Sequence, residues 1–232
     1  MRFHGAPTQV DPATASARKQ EDVVVGEEIV RHRHSERIVH WTVSVFFFVC
    51  VLTGMPIWSP IFGWMAGFFG GLAVCRWLHP WSGVVFTGSM VAMGVQWTSR
   101  MILAPSERRG LARWLFRYMR YENVDAHAGK YNPGQKLLFW CVLLATVGLL
   151  VTGIVMWFPY SFHPVVRQAA ILLHDVTFIL FAVAIVFHIY LGTAAEPGTF
   201  RSMTRGTVTK PWARLHHPRW FRDVTGDDSP PS

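Results

Sequence analysis

The chemistry this sequence offers lies in its imidazoles. Of eleven histidines, His40 and His79 stand at the entrances of two long apolar runs, and His174 and His188 lie inside another. A polar side chain at membrane depth is costly, so such a residue either serves a function or makes an interhelical hydrogen bond. His174 and His188 are fourteen positions apart, which on an α-helix is about 21 Å of rise and ~40° from angular alignment. They therefore share one face, four turns apart. A neutral imidazole on each side of an iron is the axial ligation of an electron-transfer haem, with no open position for a substrate.

The elements that must position these groups are membrane spans. Half of the 232 residues are hydrophobic (51%), and four apolar runs, at about 41–58, 81–103, 137–158 and 169–191, are long enough to cross a hydrocarbon core of ~30 Å. Lys and Arg number six before His40, one between Ser59 and Pro80, seven from Ala104 to Lys136, one from Pro159 to Gln168 and six after Leu191. By the positive-inside rule both termini and the central loop are cytoplasmic, with spans one and three running outward. The apolar segment 61–75 is short for a fifth span, and a fifth crossing would put the arginine-rich loop outside. It is expected to be interfacial or re-entrant.

This topology sorts the four histidines into two levels. His79 and His174 fall together near the outer face, His40 and His188 near the inner one. The predicted fold is an all-α membrane protein, a four-transmembrane-helix bundle binding two b-type haems, since bundle interiors are where such sites are built. The competing reading has four separate interhelical hydrogen bonds in a haem-free anchor or small transporter. Gly83, Gly88, Gly94, Gly148 and Gly153 would let a flat macrocycle approach the backbone, or simply let helices pack closely. Asp175, beside His174, is expected to be solvated or to contact a partner.

Other features carry less. Cys50, Cys75 and Cys141 form no C-x-x-C-H pattern, which excludes covalent c-type attachment. The net charge of +8 flanks apolar spans, so its partner is anionic lipid and not nucleic acid. The predicted organisation is a flexible cytoplasmic tail at 1–25, a four-span dihaem domain at 26–195 and a basic cytoplasmic tail at 196–232. Leu111, Trp114, Leu115 and Tyr118 alternate with Arg109, Arg113, Arg117 and Arg120 at helical spacing, as in a helix on the membrane surface or a solvated basic linker. His32, His34, His127, His163, His216 and His217 lie in polar stretches and are expected to face water or headgroups.

The chain resembles the cytochrome b (gamma) subunit of membrane-bound formate dehydrogenases from about Arg37 to Arg222. ERIVHWTVSVFFFVCVLTG in the first span is also similar to the cytochrome b of nickel-iron hydrogenases and related reductases. RWLHPWSG around His79, GKYNPGQKLLFW, LLVTGIVMWFPY and KPWARLHHPRWFRD are more specific. The resemblance implies His79 and His174 as ligands of an outer haem b and His40 and His188 as ligands of an inner one. It implies a bacterial inner membrane, an iron-sulfur subunit delivering electrons outside, and a molybdenum or tungsten subunit oxidising formate. This chain has no cysteine cluster of its own for that chemistry. An uptake hydrogenase or another molybdoenzyme is the alternative complex.

The resemblance also carries a quinone site, for menaquinone or ubiquinone, onto Asn132, Gly134 and Gln135. The same residues make a good helix start: Asn as N-cap, Pro at the first helical position, Gln at the third. Both roles can hold together.

Overall fold

The structure, a computed structural model, describes residues 19–120 and 128–227. The tail before residue 19 and His127 lie outside the described residues. The chain divides into two compact units, one of Ile38–Phe116 and Pro133–Leu191, the other of Met1–Arg37, Arg117–Asn132 and Gly192–Ser232.

The first unit is helical. Its elements are α1 (His34–Trp58), a 3-10 helix (Pro60–Phe69), α2 (Leu72–Trp97), α3 (Pro105–Met119), α4 (Pro133–Trp157) and α5 (Pro164–Tyr190). Helices α1, α4 and α5 with its extension to Ala195 are each long and apolar enough to cross a membrane. The 3-10 helix and the segment Leu72–Arg100 form a pair bent by 82°, a fourth candidate if the pair is one span. The bend falls on Gly70 and Gly71, whose φ of 89° and 113° only glycine adopts without strain. The expected segment 61–75 thus divides at this bend.

The second expected span, 81–103, is displaced: its helix begins at Leu72, upstream of Pro80, and ends at Trp97. Proline as a helix boundary is a rule for water. In an apolar bundle an internal proline is tolerated because neighbouring groups re-satisfy the backbone, and both Pro56 and Pro80 sit inside helices.

Phe47 of α1, Phe86 of α2 and Phe181 of α5 are buried together. Phe47 stacks on Phe181 with centroids 5.1 Å apart, and Phe86 meets Phe181 edge-on at 5.9 Å. Outward-pointing Leu144, Val151, Leu172, Leu180 and Val186 leave a broadly apolar exterior, the arrangement expected when the solvent is lipid. On α3, Leu111, Trp114 and Leu115 are half-buried while Arg109 and Arg113 are exposed. Lys136 pairs with Glu107 of this helix at 2.9 Å.

The second unit combines a small sheet with short helices. Strands β1 (Val23–Val25), β2 (Glu28–Val30) and β3 (Thr207–Thr209) form one antiparallel sheet, pairing Val23 with Val30 and Ile29 with Val208. Short helices α6 (Arg201–Thr204), α7 (Lys210–His216) and α8 (Pro218–Thr225) complete it. Ile29, Val208, Trp212, Ala213, Trp220 and Phe221 make its core. Residues 23–25 are therefore strand, and the basic segment after residue 196 is largely folded. Each piece is too short to bury its apolar face alone, and each finds that face in the other.

Two histidines expected in solvent are buried here, His217 at 1% exposure and His32 at 3%. His217 Nδ1 donates to the carbonyl of Gly129 at 2.7 Å, so its Nε2 lone pair accepts from Arg31 Nη2 at 3.1 Å. The Arg31 guanidinium also donates to Lys130 O at 2.6 Å and lies about 5 Å from the rings of Trp212 (5.0 Å) and Trp220 (5.1 Å). Burial and the adjacent Arg31 hold His217 well below the usual imidazole range. Burial likewise pushes His32 down to about 4, against an opposing hydrogen bond to the Glu36 carboxylate. Spacing gave no sign of this, because the burying aromatics lie far away in sequence.

Candidate functional site

The four histidines of the apolar runs all belong to the helical unit. His40 sits in the second turn of α1 and His188 near the end of α5, and their ring centroids are 6.1 Å apart at an interplanar angle of 56°. His79 of α2 and His174 of α5 are 6.4 Å apart at 65°. Thus α5 contributes one member of each pair. Among the described residues no group of three or more His, Cys, Asp or Glu is gathered as a metal site, so the metal chemistry open to this unit is that of facing imidazole pairs.

Whether an iron porphyrin suits these residues is decided by spacing and by tautomer. Two metal–imidazole bonds of ~2 Å, with each ring centre a further ~1 Å behind its nitrogen, put trans imidazoles roughly 6 Å apart. Both observed separations match that figure. His79 Nδ1 lies 3.0 Å from the carbonyl oxygen of Cys50; a carbonyl only accepts, so Nδ1 carries the proton and Nε2 keeps its lone pair for a metal. His174 Nδ1 is 2.8 Å from Thr152 Oγ1, whose own hydroxyl donates to Gly148 O at 2.7 Å. Again Nδ1–H is the donor and Nε2 the available ligand. His40 Nδ1 has no hydrogen-bond partner among the described residues. The residues fit haem.

The glycines divide by role. A Cβ on Gly83 or Gly88 would meet nothing within 4 Å, whereas one on Gly94 would meet Leu143 and one on Gly148 would meet Thr177, at 3.7 and 3.5 Å. These last two serve helix packing. Gly153 lies against His174. Sequence reading missed Gly54, where a Cβ would come within 2.9 Å of His79 Cε1, and the threonines beside it and beside Gly153. The available signal was the Thr-Gly step repeated near the ends of the first and third apolar runs. Asp175, expected in water or against a partner, accepts from the indole of Trp58 at 3.1 Å.

Asn132 is buried at 6% exposure and immediately precedes α4, whose first turn holds Gly134 and Gln135 half-buried. The helix begins at Pro133, the first helical position read from the sequence.

The model of the prokaryotic cytochrome b561 family matches residues 31–206. The chain belongs to that family. Its relatives include the cytochrome b556 subunit of formate dehydrogenase from Haemophilus influenzae, 36% identical over 84% of this chain and 83% of the relative. The nitrate-inducible formate dehydrogenase cytochrome b556(Fdn) subunit of Escherichia coli K12 is 32% identical over 84% of this chain and 91% of its own length. The cytochrome b556(fdo) subunit of the same organism is 33% identical, covering 85% and 94%. Within the b561 family the chain groups with formate dehydrogenase cytochrome b subunits. As a member of this family it is an integral bacterial membrane protein, and the family's cofactor is haem b.

Proposed function

We propose that this chain is the membrane cytochrome b subunit of a formate dehydrogenase, a four-span bundle holding two haems b. In this reading electrons arrive from an outward-facing iron-sulfur subunit, itself fed by a molybdenum or tungsten subunit that oxidises formate. They leave to menaquinone or ubiquinone, which is reduced on the cytoplasmic side. The observation that carries this is the pair of imidazole pairs, 6.1 and 6.4 Å between centroids, with three of the four histidines on helices apolar enough for a bilayer and His79 in the bent pair that counts as a fourth candidate. His79 and His174 would hold the outer haem, His40 and His188 the inner one. Bound there, haem b would supply one-electron redox chemistry.

The chain's own residues do the rest. The imidazole pairs would fix each group, and the buried Phe47, Phe86 and Phe181 give the bundle an apolar interior. Asn132 and Gln135 offer amide donors to a quinone carbonyl, and the Gly134 position admits the ring plane near the backbone. The positive charge at both termini and in the central segment supports a cytoplasmic placement for them, and outward-facing loops between spans one and two and between three and four. Both termini are then cytoplasmic, and the bent segment Pro60–Phe69 lies at the outer interface.

The test is the purified complex with its partner subunits. Two acid-extractable haems per copy of this chain, and quinol formed from added quinone on formate addition, are expected. One haem or none in fully loaded protein would sink the proposal, as would hydrogen in place of formate as the reductant.

A further inference from the structure

Near the ends of α1 and α4 one local structure occurs twice. Both helices are 25 residues long and both end at a tryptophan, Trp58 and Trp157. Five residues before each tryptophan stands a threonine followed by glycine, Thr53-Gly54 and Thr152-Gly153. Thr53 donates back to Val49 O at 2.6 Å, four residues earlier, and Thr152 does the same to Gly148 O at 2.7 Å. With the hydroxyl proton so used, the oxygen lone pairs face a neighbouring helix as acceptors. His79 Nδ1 lies 3.3 Å from Thr53 Oγ1 and His174 Nδ1 lies 2.8 Å from Thr152 Oγ1. In each case the imidazole also reaches the carbonyl three residues before the threonine, that of Cys50 at 3.0 Å and that of Leu149. Each following glycine then lies against the Cε1 edge of the same ring, at 2.9 Å for a Cβ on Gly54 and 3.7 Å for one on Gly153.

We propose that Thr53-Gly54 and Thr152-Gly153 are two copies of one positioning device, which fixes the tautomer and ring plane of His79 and His174 and lowers the reduction potential of the haem between them. This rests on the reading of that pair as axial ligands. The physical reason is that an Nδ1–H donating to a carbonyl and a hydroxyl becomes a more electron-rich imidazole, which favours oxidised over reduced iron. The glycine sets how far the ring can rotate, since any side chain at position 54 would occupy the space of the His79 edge. His40 has no such acceptor at its Nδ1 among the described residues, so it differs in this from His79 and His174.

Optical redox titration of the intact complex, with electron paramagnetic resonance of the oxidised haems, separates the device from mere packing. Thr53→Val and Thr152→Val should retain two haems, raise the midpoint potential of one and leave the other unchanged. Thr53→Ser and Thr152→Ser keep the acceptor and should titrate as the parent does. If a valine variant loses the outer haem, retention by the matching serine variant supports the device and loss in both overturns it. Valine variants that titrate as the parent, or that move both haems equally, also overturn it. Gly54→Ala should alter the resonance of the same haem alone, and an unchanged spectrum counts against the device. Retention of both haems in His79→Ala would instead remove the axial-ligand reading itself, whatever the threonine variants show.

Discussion

The imidazoles of His40 and His188 face one another at 6.1 Å, although one opens the first long helix and the other closes the last. That meeting makes the ligand sets separable by mutation. His40→Ala or His188→Ala should release the inner haem and leave the outer one reducible by formate, whereas His79→Ala or His174→Ala should release the outer haem and block entry of electrons. Haem quantified per chain, with reduced-minus-oxidised spectra, reads this directly. Equal loss of both haems in all four folded variants would contradict the pairing.

Asn132→Asp distinguishes a quinone donor from a helix cap. The carboxylate still caps α4 and suits the helix dipole, but it lacks the amide N–H that a quinone carbonyl accepts. Both haems should be present and reducible, while quinol formation falls about tenfold, the value of one hydrogen bond of ~1.4 kcal/mol. Parental quinol formation with unchanged inhibitor binding would leave Asn132 as a cap alone.

Topology is tested by single cysteines introduced at Ser106 and at Phe162 and probed with an impermeant label in sealed membranes. The charge distribution predicts reaction at Ser106 only from the cytoplasm and at Phe162 only from outside. The reverse pattern would overturn the direction of electron flow as well.

The unit built on β1, β2 and β3 should weaken in acid. Burial holds His32 at about 4 in the folded chain and His217 well below its ordinary value, while an unfolded imidazole titrates near ~6.5. Between these values the unfolded chain binds more protons, so stability rises with pH and is lost as pH falls from ~6.5 towards 4. Limited proteolysis of the 207–225 segment in the intact protein should be slow at pH 7 and fast near the lower limit. Equal resistance at both would show that neither histidine is linked to folding.

Arg31→Met should destabilise the same unit by about 3 kcal/mol, since it removes desolvated cation–π contacts with Trp212 and Trp220 and leaves His217 Nε2 without its donor. Arg31→Lys should not restore it, because an ammonium lacks the planar fork that serves Lys130 O and His217 together. Tryptophan fluorescence during thermal unfolding reads both variants.

The sequence by itself determined the apolar helices and the candidate ligands. Span length, charge placement and the spacing of His174 and His188 are local properties, set by the rise of a helix and the thickness of a bilayer. The amphipathic α3 and the helix start at Pro133 were legible for the same reason. Only the tertiary structure decided that Val23–Val25 pairs into a sheet with β2 and β3, that His217 is buried against Arg31, and that Thr53 and Cys50 O hold the Nδ1 of His79. Those contacts join residues far apart in the chain, and no periodicity encodes them. A histidine in a polar stretch reads as solvated until aromatic rings from another segment close over it, and a threonine in an apolar run reads as filler until a neighbouring helix presents an imidazole to its lone pair.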